Sequence, residues 1–185
     1  MRHTVLFAAI LLASGHTQLQ AQQADAASAK ELPAGFELWS ASRVKEASDR
    51  LEKNIGDKSI LFETVGNWKG HSVYLVLRGK TADAEFHKTE EDVYIGQRGH
   101  ATFIIGGEMV DPKNMPRKQM RASSIRGGIQ RDLRAGDILH VPRAIPHQLV
   151  IAPGEQFMYL LFKLDEEPLA NLNPHTLKPN RPPSK

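Results

Sequence analysis

From residue 59 onward the chain adopts a hydrophobic period of two and keeps it. The segments SILFETV (59–65), HSVYLVLRG (71–79), AEFH (84–87), DVYIGQ (92–97), HATFIIGG (100–107), DILHVP (137–142), HQLVIA (147–152) and QFMYLLFKL (156–164) are short and rich in Val, Ile, Leu and aromatics. Gly, Asn, Asp and Pro divide them. Many short strands broken by turn signals predict an all-β antiparallel sandwich or small barrel and exclude βαβ units. No internal repeat is present, so one such unit is expected.

Before the strands, residues 40–55 read as a helix: Ala41, Val44, Ala47, Leu51 and Ile55 recur every three or four residues. Ser40 is a fair N-cap, Gly56 suits the C-terminal stop, and Glu46 and Arg50 are placed for an i,i+4 pair. Its apolar stripe is expected to pack on the outside of the barrel or on a partner subunit.

Two clusters framed by glycine and proline carry the chemistry. In GKTADAEFHKTEEDVYIGQRG, Gly79 is followed after five residues by Glu85-x-His87, then after four by Asp92 and after six by Gly99. In GDILHVPRAIPHQL, Gly136 is followed after five residues by Pro142 and then by Pro146-His147. Residues two apart on a strand face the same way, so Glu85 and His87 project together. Two imidazoles and two carboxylates converging inside a barrel would make a metal site.

This double pattern resembles the motifs of the cupin superfamily over roughly residues 59–165. The first cupin motif runs Gly, five residues, His-x-His, three or four residues, Glu, six residues, Gly. Aligned on Gly79 and Gly99, Glu85 stands at the first His, His87 at the second, and Asp92 replaces the Glu. The second motif runs Gly, five residues, Pro-x-Gly, two residues, His; Gly136, Pro142 and His147 match, Ala144 replaces the inner Gly, and Ile151 stands where Asn is common. The resemblance implies a cupin-like jelly roll spanning residues 40–165 with its N-terminal helix, the motifs lying at 79–99 and 136–151. It also implies a metal held by Glu85, His87, His147 and Asp92, although the superfold hosts many unrelated chemistries.

Imidazole and carboxylate suit one divalent transition metal: Zn, Fe, Mn, Ni or Cu. Glu85, His87 and His147 would supply a two-His, one-carboxylate face, with Asp92 as a fourth ligand or a catalytic base. The Asp92 side chain is about one C–C bond (~1.5 Å) shorter than Glu, which favours a role orienting a ligand histidine. The alternative for His87 is a hydrogen bond to Glu85 without metal, and for His147 a turn residue after Pro146. Tyr94 shares parity with Asp92, as a pocket-lining catalytic candidate or as core. Glu90 and Glu91 are expected on the surface, and His140 as structural.

The 30-odd residues of 106–136 separate the motifs, and a connection of that length is functional or mobile. Met109, Met115 and Met120 within it suit a lid or ordinary packing. Residues 108–134 hold seven Lys or Arg against three acids, a basic stretch that either steers an anionic small molecule or is simply solvated. A net charge of +3 is no nucleic-acid footprint, and the lack of cysteine excludes thiolate ligands and thiol nucleophiles.

At the start, Arg2, the apolar run Val5 to Ala13 and Leu19-Gln20-Ala21 have the form of a signal peptide over 1–21, too short to span a bilayer. Cleavage after Ala21 would place a soluble protein in the periplasm or outside the cell, with no membrane association. Residues 22–39 read as a linker and the Pro-rich 166–185 as a disordered tail. Two functions fit: a metal-dependent enzyme, dioxygenase- or isomerase-like, on a small oxygenated molecule, or a non-catalytic small-molecule or sugar-binding module. The helix stripe and sheet edges favour a homodimer.

Overall fold

The computed structural model describes Pro33 and residues 35–167; the stretch 1–21 read as a signal peptide, much of 22–39 read as a linker, and the tail from residue 168 lie outside them. Among the described residues one helix, α1 (Ala41–Ile55), precedes twelve strands. They are β1 (Ile60–Trp68), β2 (His71–Arg78), β3 (Ala84–His87), β4 (Glu90–Ile105), β5 (Glu108–Val110) and β6 (Lys113–Met115). After these come β7 (Gln119–Ala122), β8 (Ser124–Arg126), β9 (Ile129–Arg134), β10 (Ile138–Val141), β11 (His147–Val150) and β12 (Phe157–Asp165).

Every strand pairing is antiparallel, and the 16-residue β4 belongs to two sheets. Its first half, Glu90 to Gly99, pairs with β12 on one side and β10 on the other, giving the order β1-β2-β12-β4-β10. Its second half pairs with β9 and β11, giving β9-β4-β11-β3-β7-β6. Hydrogen bonding does not close the two sheets into a continuous ring. The sequence reads this stretch as two strands, 92–97 and 100–107, whereas the backbone runs through. Gly99 makes that possible: its φ is +74°, and a Cβ there would lie 2.1 Å from the Gln156 carbonyl oxygen.

The connection 106–136 is likewise more ordered than its length suggests, since β5 to β9 all lie within it. Strands of three residues are too short for a period to show, and β9 is exposed and polar at Gln130, Arg131 and Asp132, on both of its faces. The region adds two strands, β6 and β7, to the edge beside β3.

Tyr74, Val76, Tyr94, Phe103, Leu149, Phe157 and Tyr159 form the core between the sheets. The alternate residues Leu75, Leu77 and Met158 point the other way, onto Ala47, Leu51 and Ile55 of α1. The first sheet is therefore covered on both faces along β2, where Val73 to Arg78 is buried throughout. Ser40 caps α1, its Oγ accepting from the Arg43 amide at 3.3 Å, and Gly56 ends it. The stripe is thus buried against the protein's own sheet. Arg50 pairs with Glu63 of β1 through two hydrogen bonds of 2.8 and 2.9 Å rather than with Glu46, because a fork-shaped partner on the sheet lies within reach.

Candidate metal centre

Strand registry assembles the site. Glu85 and His87 lie two apart on β3, and His147 of β11 is the cross-strand partner of Glu85. Asp92 enters from the opposite sheet, on β4, where Lys163 of β12 stands beside it in register. The ligand atoms of Glu85, His87, Asp92 and His147 all lie within 4.8 Å of one another. His87, Asp92 and His147 are almost wholly buried.

The contacts differ from residue to residue. The His87 Nε2 is 3.2 Å from Glu85 Oε2 and 3.4 Å from Asp92 Oδ2. Asp92 is engaged at both oxygens: Oδ1 accepts from the Lys163 ammonium at 2.7 Å, and Oδ2 accepts from the Tyr94 hydroxyl at 3.1 Å. His147 donates from Nδ1 to the Ile145 carbonyl at 3.0 Å. That bond makes Nδ1 the donor, so in the neutral ring the Nε2 lone pair faces the cluster. This Nε2 is buried, has no hydrogen-bond partner, and lies 3.5 Å from Asp92 Oδ2. A buried acceptor without a donor is costly, and a cation between the four residues would satisfy it. The donor set and this orphaned nitrogen therefore fit a divalent transition metal. Against it stands Lys163, whose ammonium is 3.2 Å from His87 Nε2 and must move for a metal to take that nitrogen.

Electrostatics favour charged forms despite burial. Burial raises the Glu85 carboxyl, but the hydrogen bond with His87 and the charges of Arg121, Lys163 and Arg78 outweigh it and hold it well below the usual range. Asp92 is held well down in the same way, by Lys163 and both histidines against its burial. His87 is pulled down by burial and further up by hydrogen bonds with Asp92 and Glu85, so its pKa is raised on balance. Burial drives the Tyr94 hydroxyl well up, so it stays protonated and donates to Asp92.

A cavity of about 430 Å³ opens beside the cluster. Of the four residues Glu85 lines it, as does Tyr94, which also packs edge-on to Phe103. Ile60, Phe62, Tyr74 and Leu161 make an apolar wall; Arg78, Arg117, Arg121 and Lys163 with Glu85, Glu90 and Asp165 make a charged one.

Four of these residues escape the sequence reading. Arg78, Arg121 and Lys163 carry no motif, yet Arg78 follows Tyr74 and Val76 on the inward face of β2, and Lys163 follows Phe157, Tyr159 and Leu161 on that of β12. A cation at an inward position of an apolar strand was the available signal. Glu90 is a correction: it is only 3% exposed and binds Arg117 at 2.7 Å, Gln119 at 3.1 Å and Lys163 at 3.4 Å. The strand begins at Glu90 instead of bending there, so Glu90 shares the inward parity of Asp92 and Tyr94. Glu91 does face out, toward His140 at 2.9 Å.

No protein-family model and no curated protein matches the chain. Among solved structures, a cupin 2 conserved barrel domain protein from Salinispora arenicola CNS-205 is 17% identical over 58% of this chain and 76% of its own, with a TM-score of 0.40. A cupin superfamily protein from Desulfitobacterium hafniense DCB-2 gives 14%, 59%, 80% and 0.41 for the same quantities. The polyketide cyclase RemF from Streptomyces resistomycificus gives 14%, 60%, 69% and 0.43. Likeness this distant bears on no chemistry. Within the chain itself, two antiparallel sheets share β4, one motif spans β3 and β4, and the other ends at His147 directly across from Glu85. That arrangement is a cupin-like jelly roll.

Proposed function

We propose that this protein is an exported metal-binding cupin that acts as a metal-dependent enzyme on a small oxygenated molecule, by oxygenase- or isomerase-type chemistry. The observation that carries the reading is the buried, unpartnered His147 Nε2, aimed at Glu85, His87 and Asp92. Glu85, His87 and His147 would hold the ion. A divalent transition metal in such a site supplies Lewis acidity and an exchangeable position for substrate. The protein's own part is positional. Lys163 and Tyr94 hold the Asp92 carboxylate, whose Oδ2 faces the Nε2 atoms of His87 and His147 at 3.4 and 3.5 Å, beside the position the ion would take. The apolar wall of the cavity excludes water from the bound molecule.

Alanine in place of Glu85, His87 or His147 should each abolish most metal occupancy, measured by elemental analysis of folded protein, whereas Asp92→Ala should lower it less. Equal loss at all four positions would make Asp92 a ligand, and no loss at Glu85 would leave the two histidines and Asp92. A second reading, a binding module without turnover, is favoured by one contact set. Lys163, 2.7 Å from Asp92 and 3.4 Å from Glu90, balances buried charge without any metal. Export rests on the sequence of residues 1–21. A homodimer rests on the open sheet edges, such as β10 with Ile138 exposed at 71%.

A further inference from the structure

The charged groups around the cavity are not equally engaged. Arg117 binds Glu90 at 2.7 Å and Asp165 at 2.9 Å, and Lys163 binds Asp92 at 2.7 Å, all at the lengths of full charge-assisted bonds. Arg78 and Arg121 differ. Arg78 is nine-tenths buried, donates from Nε to the Tyr159 hydroxyl at 3.1 Å, and reaches Glu85 Oε1 only at 3.4 Å. Arg121 reaches the other Glu85 oxygen only at 3.6 Å. Two guanidinium groups, one from β2 of the first sheet and one from β7 of the second, thus flank one carboxylate loosely at the cavity wall.

Charge counting gives the sign of what the cavity takes. Arg78, Arg117, Arg121 and Lys163 face Glu85, Glu90, Asp92 and Asp165, four cations against four carboxylates. A divalent ion at the cluster adds two positive charges and draws Glu85 toward itself, which frees the Nη2 groups of Arg78 and Arg121, while Arg78 keeps the Tyr159 hydroxyl and Arg121 the Met120 carbonyl. Guanidinium forks match a planar carboxylate bidentately. Ile60, the cross-strand partner of Arg78, with Phe62, Tyr74 and Leu161 lines the same cavity with apolar surface, and about 430 Å³ suits a body of one ring with a short side chain.

We propose that the cavity binds a small carboxylate with an aromatic or branched apolar body, the carboxylate held between Arg78 and Arg121 and the body against Phe62, Tyr74 and Leu161. This rests on the metal reading above and names the substrate class for the same site. The test is isothermal titration of zinc-loaded full-length protein with trans-cinnamate and with its uncharged isostere cinnamamide. Charge-assisted hydrogen bonds predict that cinnamate binds about tenfold tighter or more, and that Arg121→Gln removes most of that difference while zinc content stays unchanged. Arg78→Lys, checked for an unchanged melting temperature, should weaken cinnamate more than cinnamamide. Equal binding of the two probes, or tighter binding of phenyl phosphate than of cinnamate, overturns the proposal. Protein that takes up no zinc overturns the metal reading instead. The same probe pair on that protein still decides this one: charge-selective binding lost in Arg121→Gln supports it, and equal binding overturns it.

Discussion

Replacing Lys163 by Met should have opposite consequences for the metal-free and the metal-loaded protein. In the metal-free state the ammonium is 2.7 Å from Asp92, whose side chain is 1% exposed, and 3.4 Å from Glu90. Removing one partner of a buried ion pair costs about 3–5 kcal/mol, because the other charge stays behind without compensation. Lys163 is itself 21% exposed, and Glu90 keeps Arg117 and Gln119, so the loss falls mainly on Asp92 and about 3 kcal/mol is expected. For a domain of this size that lowers the melting temperature by roughly 10 °C. A bound divalent ion replaces the missing charge, and no ammonium then competes for the His87 lone pair, now 3.2 Å from Nζ. Zinc should therefore bind Lys163→Met about tenfold tighter or more than the parent, and its stabilising increment should be larger by the linkage of binding to folding. Urea denaturation with chelator and with excess zinc, together with a competition titration for zinc affinity, measures all three quantities. Unchanged metal-free stability, or weaker zinc binding in the variant, would refute the competition between Lys163 and metal.

The stability of the two forms should respond to pH in opposite directions. The raised His87 pKa contributes stability that is fully present below about 6.5 and lost as pH rises through the raised value, while the lowered Glu85 and Asp92 contribute above about 4 and lose it as pH falls. Melting scans should thus place the metal-free optimum at mildly acid pH, whereas metal-loaded protein, which needs neutral imidazoles, should lose its ion below about pH 6. Ala144 stands at φ 57° and its amide donates to the His87 carbonyl at 2.8 Å; Ala144→Gly relieves a left-handed strain of about 1–2 kcal/mol at the expense of chain entropy. A net gain of about 0.5–1 kcal/mol is expected in urea denaturation, and a loss would mean that Ala144 is not strained. Size-exclusion with light scattering should give a dimer with or without chelator, and a monomer in both would remove the dimer from the account.

The elements with a strong period were legible. The boundaries of α1, its cap at Ser40 and its stop at Gly56 follow from apolar spacing and capping chemistry, and most major strands follow from alternation. Glu85 and His87 were legible together from strand parity, and Asp92 and His147 joined them through the resemblance to the two cupin motifs. What stayed hidden depends on pairing across sheets. Lys163 was readable as a cation at inward parity on β12, but its place beside Asp92 depends on the register of β12 with β4, which no local pattern marks. Arg78 and Glu90 were readable in principle, as charges at inward parity, but a charge at a strand end is ordinarily solvated. The strands of 106–136 escaped because segments of three or four residues with polar faces show no period, and β6 and β7 exist by pairing onto β3.

The proposed metal is held by Glu85, His87 and His147, with Asp92 beside them. That binding is tested most directly by elemental analysis of the mature protein, expressed without a histidine tag and dialysed against each of zinc, iron, manganese, nickel and copper in turn. The account predicts about one divalent transition metal ion per chain, bound stoichiometrically and lost when His147 is replaced by alanine. Protein that is isolated free of metal and takes up none of the five ions would contradict it.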